Sequence, residues 1–75
     1  MRFSVSSRNA EELIVVFEPS AHEVTISGGD YLTVEWTGEA PGEIEWTPEY
    51  LSIGSPAGGN MYAWTSDGNE IEGII

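Results

Sequence analysis

His22 is the only histidine of the chain, and imidazole is the side chain best suited to acid–base chemistry near neutral pH. Glu18 lies before it and Glu23 follows it directly, so a turn at Pro19 would bring two carboxylates close to the ring. A hydrolytic site would also need a nucleophile, a group that orients the base and donors for an oxyanion. No serine of the sequence lies in the Gly-x-Ser-x-Gly pattern of a hydrolase nucleophile. We therefore expect His22 to be an exposed turn residue and the protein not to be an enzyme.

Glutamates are concentrated around one short segment that we predict to be a strand, Glu43–Thr47. Glu43 and Glu45 share one face of that strand, while Glu39 and Glu49 lie in the loops on either side. A hard cation such as calcium needs about six to eight oxygen ligands, and these spacings do not supply them. The glycine-rich loop 54–60 lacks the lysine and the following helix of a phosphate-binding loop. We expect a solvated acidic face, no metal site and no cofactor.

Two aromatic residues, Tyr62 and Trp64, share one face of a strand predicted over residues 61–65. If the opposite face, which carries Met61 and Ala63, is the buried one, the two rings form an exposed platform. Such a platform stacks on a sugar or anchors a protein partner. If the Tyr62 face is buried instead, no platform exists, and the sequence leaves both alternatives open.

The charge balance narrows the class of partner, because 13 acidic residues face two arginines and the net charge is −11. Such a surface repels nucleic-acid phosphates and anionic membranes, so we expect neither as a partner. We expect a non-catalytic interaction module, inhibitor-like or immunity-like, that binds a basic protein through Glu39, Glu43, Glu45 and Glu49. The alternative is a small ligand- or carbohydrate-binding domain that uses Tyr62, Trp64 and nearby carboxylates. Acidity that only keeps the chain soluble is the third interpretation.

Apolar residues recur with period two along most of the chain, which predicts short strands and almost no helix. Strands of this length and spacing are typical of a small antiparallel β-sandwich or a partly open β-barrel, here of about seven strands in one domain over residues 1–75. An eighth strand is expected over Asn69–Glu72, after a turn at Asp67–Gly68. A turn of helix competes over Asn9–Leu13, but the β-branched residues that follow argue against its continuation.

The alternation also predicts which residues form the core. The expected core members lie on the apolar faces of their strands: Val15, Val34, Trp36, Ile44 and Trp46. Leu13–Phe17 is apolar on both faces, so it is either a central strand or a subunit contact. Together with Ile74 and Ile75 at the end of the chain, it makes a homodimer possible.

Leu13–Phe17 is also too short to span a bilayer, and it is the longest fully apolar run. No apolar run of signal-peptide type stands near Met1. We therefore expect a cytoplasmic location.

Three features between Leu13 and Trp36 follow one another: a hydrophobic run that ends in Glu18–Pro19, a glutamate-containing strand over 22–26, and a Gly28–Asp30 turn that leads into another strand. In these features the chain resembles a set of short acidic bacterial β-strand proteins. It departs from them at Ser20, where they have an aromatic residue, and at Gly28, where they have a turn proline. The resemblance implies β structure and no particular activity.

Overall fold

The alternating segments of the sequence form strands in the computed structural model, which describes residues 1–8 and 11–75. The strands are β1 (Arg2–Ser6), β2 (Leu13–Glu18), β3 (His22–Ile26), β4 (Tyr31–Trp36), β5 (Glu43–Trp46), β6 (Leu51–Gly54) and β7 (Met61–Thr65). The competing helical turn over Asn9–Leu13 lies partly outside the described residues. None of the described residues is in a helix, and hence none is in a helix long and apolar enough to cross a membrane.

The strands form two sheets, a three-stranded sheet in the order β1-β4-β7 and a four-stranded sheet in the order β3-β2-β6-β5. They make up a small sandwich, and no closed barrel forms within the described ranges. The prediction of an all-β domain of about seven strands, a small sandwich or a partly open barrel, is therefore confirmed. One strand pair differs from the antiparallel expectation, because β2 and β6 run parallel. The reason is topological: β6 arrives as the second strand of the β5–β6 hairpin and docks beside β2 in the same direction.

The core lies between the sheets and consists of the residues that alternate inward from each strand. Val15 and Val34 are fully buried, and Trp36 is 6% exposed, as the alternation predicts. The Trp36 indole packs edge-on against Phe3 of β1, with ring centroids 4.7 Å apart. The remaining buried apolar residues are Phe17, Ile26, Leu32, Leu51, Ile53, Met61, Ala63 and Ile74.

Two predicted core residues are exposed, and both lie on β5. Ile44 and Trp46 stand opposite the buried Ile53 and Leu51, so they point toward the inner face of the four-stranded sheet. They are nevertheless 48% and 67% exposed, which shows that their predicted burial is wrong. The cause is the unequal width of the sheets: β5 is the outermost of four strands that face a sheet of only three.

The predicted eighth strand does not form. The segment 69–75, here called the C-terminal segment, touches the β7 ladder through one bridge, between Trp64 and Glu70. The Ile71 N–H donates to the Ala63 carbonyl, and the segment then turns Ile71 and Ile74 inward, so that Ile74 is only 4% exposed. Burial of these side chains replaces a continued ladder, because an apolar side chain gains more from the core than from the edge of a sheet.

The two sides of the sandwich, where the sheets end, are therefore different. On the closed side, β3 and β7 are bridged by Ile71, which lines a small space together with 24–26 and Thr65. On the open side, β1 faces β5. At one end of these strands Trp36 packs on Phe3 and lies next to Gly42. At the other end Trp46 lines a groove together with Ser6.

Candidate functional site

The outer surface of the four-stranded sheet carries a group of glutamates that strand pairing brings together. Val16 of β2 stands opposite Glu23 on β3 and opposite Ser52 on β6, and Ser52 stands opposite Glu45 on β5. Directly paired residues point to the same face of a sheet. Because Val15 points into the core, this row of four residues points to solvent.

A second outward row runs beside the first and adds two more carboxylates. Glu18 and Glu43 both pair with Gly54, from opposite sides of β6. Two strand spacings separate the two glutamates by about 10 Å, and the glycine between them has no side chain to cover the gap. We call the surface formed by Glu18, Glu23, Glu43 and Glu45, around the half-buried Ile14 and Val16, the acidic face.

The structure brings together two of the four predicted acidic site residues, Glu43 and Glu45. Glu39 and Glu49 are exposed and lie in the loops at the two ends of β5. Glu49 is part of a tight turn in which its N–H donates to Thr47 Oγ1 over 3.3 Å. Their role in binding stays a prediction.

Glu18 and Glu23 were missed as members of this surface, because their proximity to His22 in the sequence suggested a different cluster. The sequence signal that would place them correctly is the alternation of side chains along the β2–β3 hairpin, in which every second residue points to the same face of the sheet. A short turn fixes the register of a hairpin, and the register sends Glu23 to the side of Val16.

Trp46 lies at the margin of the acidic face, on the last strand of the sheet. Its indole lines one groove with Ser6, Arg8 and Glu11 and a second with Ile14 and Tyr50. An exposed tryptophan therefore lies on the same edge strand as Glu43 and Glu45, with its side chain on the opposite side of the sheet from their carboxylates.

The outer surface of the three-stranded sheet has a different chemistry. Met61 and Ala63 are buried, which settles the open alternative and places Tyr62 and Trp64 on the outer surface. Their ring centroids are 6.4 Å apart, with the planes inclined by 29°. The guanidinium of Arg2 lies 5.1 Å from the Trp64 ring centroid, within cation–π range.

We call the surface formed by Tyr62, Trp64, Arg2 and Glu35 the aromatic face. It is nearly neutral, because Arg2 is paired to the carboxylate of Glu35. Arg2 Nη2 lies 3.4 Å from Glu35 Oε1, and this is the ion pair that the described residues form. Tyr31 extends the face along β4 and is exposed.

The acid–imidazole cluster does not form. His22 pairs with the inward-pointing Phe17, so Glu18 and Glu23, its neighbours in register and in sequence, point to the opposite face of the sheet. The imidazole instead faces the C-terminal segment, where a Cβ on Gly73 would lie 3.5 Å from Nδ1. Among the described residues, no group of three His, Asp or Glu side chains is arranged to hold a metal ion.

A perturbed carboxyl group lies on the closed side. The side chain of Ser66 and the N–H of Tyr31, which donates to Asp30 Oδ1 over 2.8 Å, both lower the pKa of Asp30. The bond with Ser66 joins the β3–β4 turn to the end of β7, whereas the bond from Tyr31 is local to the turn.

Comparison of the chain with models of known protein families, with curated protein sequences and with solved structures gave no match.

Proposed function

We propose that this protein is a non-catalytic interaction module that binds a basic protein partner through the acidic face, in the manner of an inhibitor or an immunity protein. The cytoplasmic location expected from the sequence belongs to the same proposal. The observation that carries it is Trp46, which is two-thirds exposed on the edge strand β5 that also carries Glu43 and Glu45.

Acidity alone serves solubility, so the carboxylates by themselves would not distinguish a binding surface from a solvated one. An exposed tryptophan on the same edge strand favours the interpretation as a binding surface. Aromatic residues are enriched among the side chains that contribute most to protein–protein affinity, especially where surrounding polar residues exclude water. Carboxylates on the same strand as such an anchor attract a basic partner and speed its association.

The test is capture of partners from a native lysate on the immobilised protein at low and at physiological ionic strength. We expect a discrete basic protein to be retained at about 0.01 M salt. Its binding should be weaker at about 0.15 M, because the Debye length falls from about 30 Å to about 8 Å. The double variant Glu43→Gln/Glu45→Gln is expected to lose that protein.

The matched control is Glu70→Gln/Glu72→Gln, which removes the same charge from two exposed positions of the C-terminal segment. It is expected to retain the partner. Equal loss in both double variants would show that net charge, and not the acidic face, is what the partner recognises.

A second function is supported by the aromatic face. Tyr62 and Trp64 offer aromatic surface beside Arg2, Glu35 and Thr33, a combination that stacks on a sugar ring and hydrogen-bonds its hydroxyls. Titration with neutral oligosaccharides, followed by tryptophan fluorescence, tests this candidate. The signal must disappear in Trp64→Phe and persist in Trp46→Phe, since the latter residue lies on the other sheet.

The homodimer expected from Leu13–Phe17 and the C-terminal isoleucines stays a prediction. Ile74 packs in the core of its own chain, while Ile75 is exposed. Sedimentation of the protein over a range of concentrations tests for a dimer.

A further inference from the structure

β5 is an edge strand, and some of its backbone N–H and C=O groups point away from the sheet. The Thr47 N–H donates to the Tyr50 carbonyl over 2.9 Å, which makes these two residues a hydrogen-bonded pair at the end of the β5–β6 hairpin. In an antiparallel ladder, hydrogen-bonded and non-hydrogen-bonded pairs alternate. Glu45 therefore bonds to β6, whereas the N–H and C=O groups of Ile44 and Trp46 point away from the sheet.

Those outward groups have no strand beside them in the described part of the chain. β5 pairs with β6 alone, and no backbone hydrogen bond from another described segment reaches residues 43–46. The residues with free backbone groups are also those with exposed apolar side chains, Ile44 and Trp46. A partner that supplies one more strand would satisfy the backbone and cover both side chains together.

From this coincidence we infer that the basic partner binds by strand addition: an extended segment of it, in which basic and apolar residues alternate, pairs with the free edge of β5. The inference rests on the proposed function and specifies its geometry. The added strand places every second side chain on the outer face, next to Glu43 and Glu45, and the others on the inner face, against Ile44 and Trp46.

Charge decides against a second copy of this chain as the occupant. Antiparallel pairing of β5 with another β5 would set Glu43 and Glu45 of one copy beside the same glutamates of the other. Like charges directly opposite each other destabilise a strand pair. Basic side chains of an added strand would instead form ion pairs with Glu43 and Glu45. The two glutamates therefore disfavour self-association at this edge and favour a partner of opposite charge.

The experiment uses three ten-residue peptides of equal length. In the first, lysine alternates with valine; in the second, the same residues stand in two blocks; in the third, glutamate replaces lysine. We expect the alternating peptide to bind at least about tenfold more tightly than the block peptide, and the acidic peptide not to bind. Versions of the alternating peptide methylated on every second backbone nitrogen, made in both registers, must include one that no longer binds.

Site and mode are read by amide hydrogen exchange and by substitution. The peptide should protect the amides of Ile44 and Trp46 and leave that of Glu45, already bonded to β6, unchanged. Trp46→Ala should weaken the alternating peptide by about tenfold, and Tyr62→Ala, a matched exposed aromatic on the other sheet, should have no effect.

The outcomes separate this inference from the function on which it rests. If alternating and block peptides bind equally, and methylation changes nothing, strand addition is wrong while a basic partner for the acidic face still stands. If neither basic peptide binds better than the acidic one, both proposals fail.

Discussion

The closed and the open side of this sandwich differ in how the core is covered from solvent. On the closed side, the C-terminal segment lays Ile71 and Ile74 between the sheets and covers the edge of β7. On the open side, Ile44 and Trp46 point toward the same core but stay exposed, because β5 extends beyond the narrower sheet. This difference is the structural reason for proposing that a partner binds on the open side.

The largest expected effect separates two tryptophans that the sequence pattern treats alike. Trp36→Ala should lower the free energy of unfolding by about 3–5 kcal/mol, the usual cost of deleting a buried large aromatic side chain. Trp46→Ala should change it by no more than about 0.5 kcal/mol, because an exposed side chain has little packing to lose. Urea denaturation of both variants measures this contrast. Similar losses would mean that Trp46 is covered in solution and that the open side is closed.

Trp36 and Trp46 also show that the sequence predicts the direction of a side chain on a strand but not its burial. Period-two alternation correctly assigned both indoles to inward-pointing positions, as it did Val34. It carries no information on how many strands the opposite sheet has, and burial at an outer strand depends on that number. The strands were predictable because their signal is local, whereas the exposed Trp46 and the acidic face depend on strand order and register between distant segments.

The closed side can be tested at its isoleucines. Ile74→Ala should destabilise the protein by about 2–4 kcal/mol, since the side chain is buried in the core. Ile75→Ala is the matched control, because its side chain is 61% exposed and should contribute less than about 0.5 kcal/mol. Thermal unfolding of the two variants compares them. An Ile74→Ala protein of unchanged stability would remove the distinction between the two sides.

A smaller effect is expected where the open side begins, at the glycine before β5. A Cβ on Gly42 would collide with the Gly54 carbonyl oxygen and lie 2.5 Å from Trp36 Cε2, so Gly42→Ala should cost about 1–3 kcal/mol. The control is Gly54→Ala, whose Cβ would meet its nearest neighbour, Glu43 Cβ, at 3.8 Å. That variant should be neutral or slightly stabilising, because alanine loses less backbone entropy than glycine in a strand. Denaturation midpoints measure both variants, and a Gly42→Ala protein as stable as Gly54→Ala would show that the residues around Gly42 have room to adjust.

The smallest effect concerns the polar tie of the closed side and depends on pH. Hydrogen bonds from Ser66 and from the Tyr31 N–H favour the ionised carboxyl, so the pKa of Asp30 is lower in the folded protein than in the unfolded chain. The stabilisation is complete above the carboxyl's ordinary pKa, near pH 4, and is lost as the pH falls through the lowered folded-state value.

Asp30→Asn removes this contribution, so it should melt at a lower temperature than the parent protein at neutral pH, and the difference should shrink as the pH falls below the carboxyl's ordinary pKa. Taking the difference between the two proteins cancels the pH dependence of the other carboxylates, which they share. Asp67→Asn removes the same charge from a nearby exposed turn and should show no such convergence. A gap between Asp30→Asn and the parent that stays constant with pH would mean that the carboxylate does not hold the β3–β4 turn to the end of β7. The closed side would then depend on its isoleucines alone.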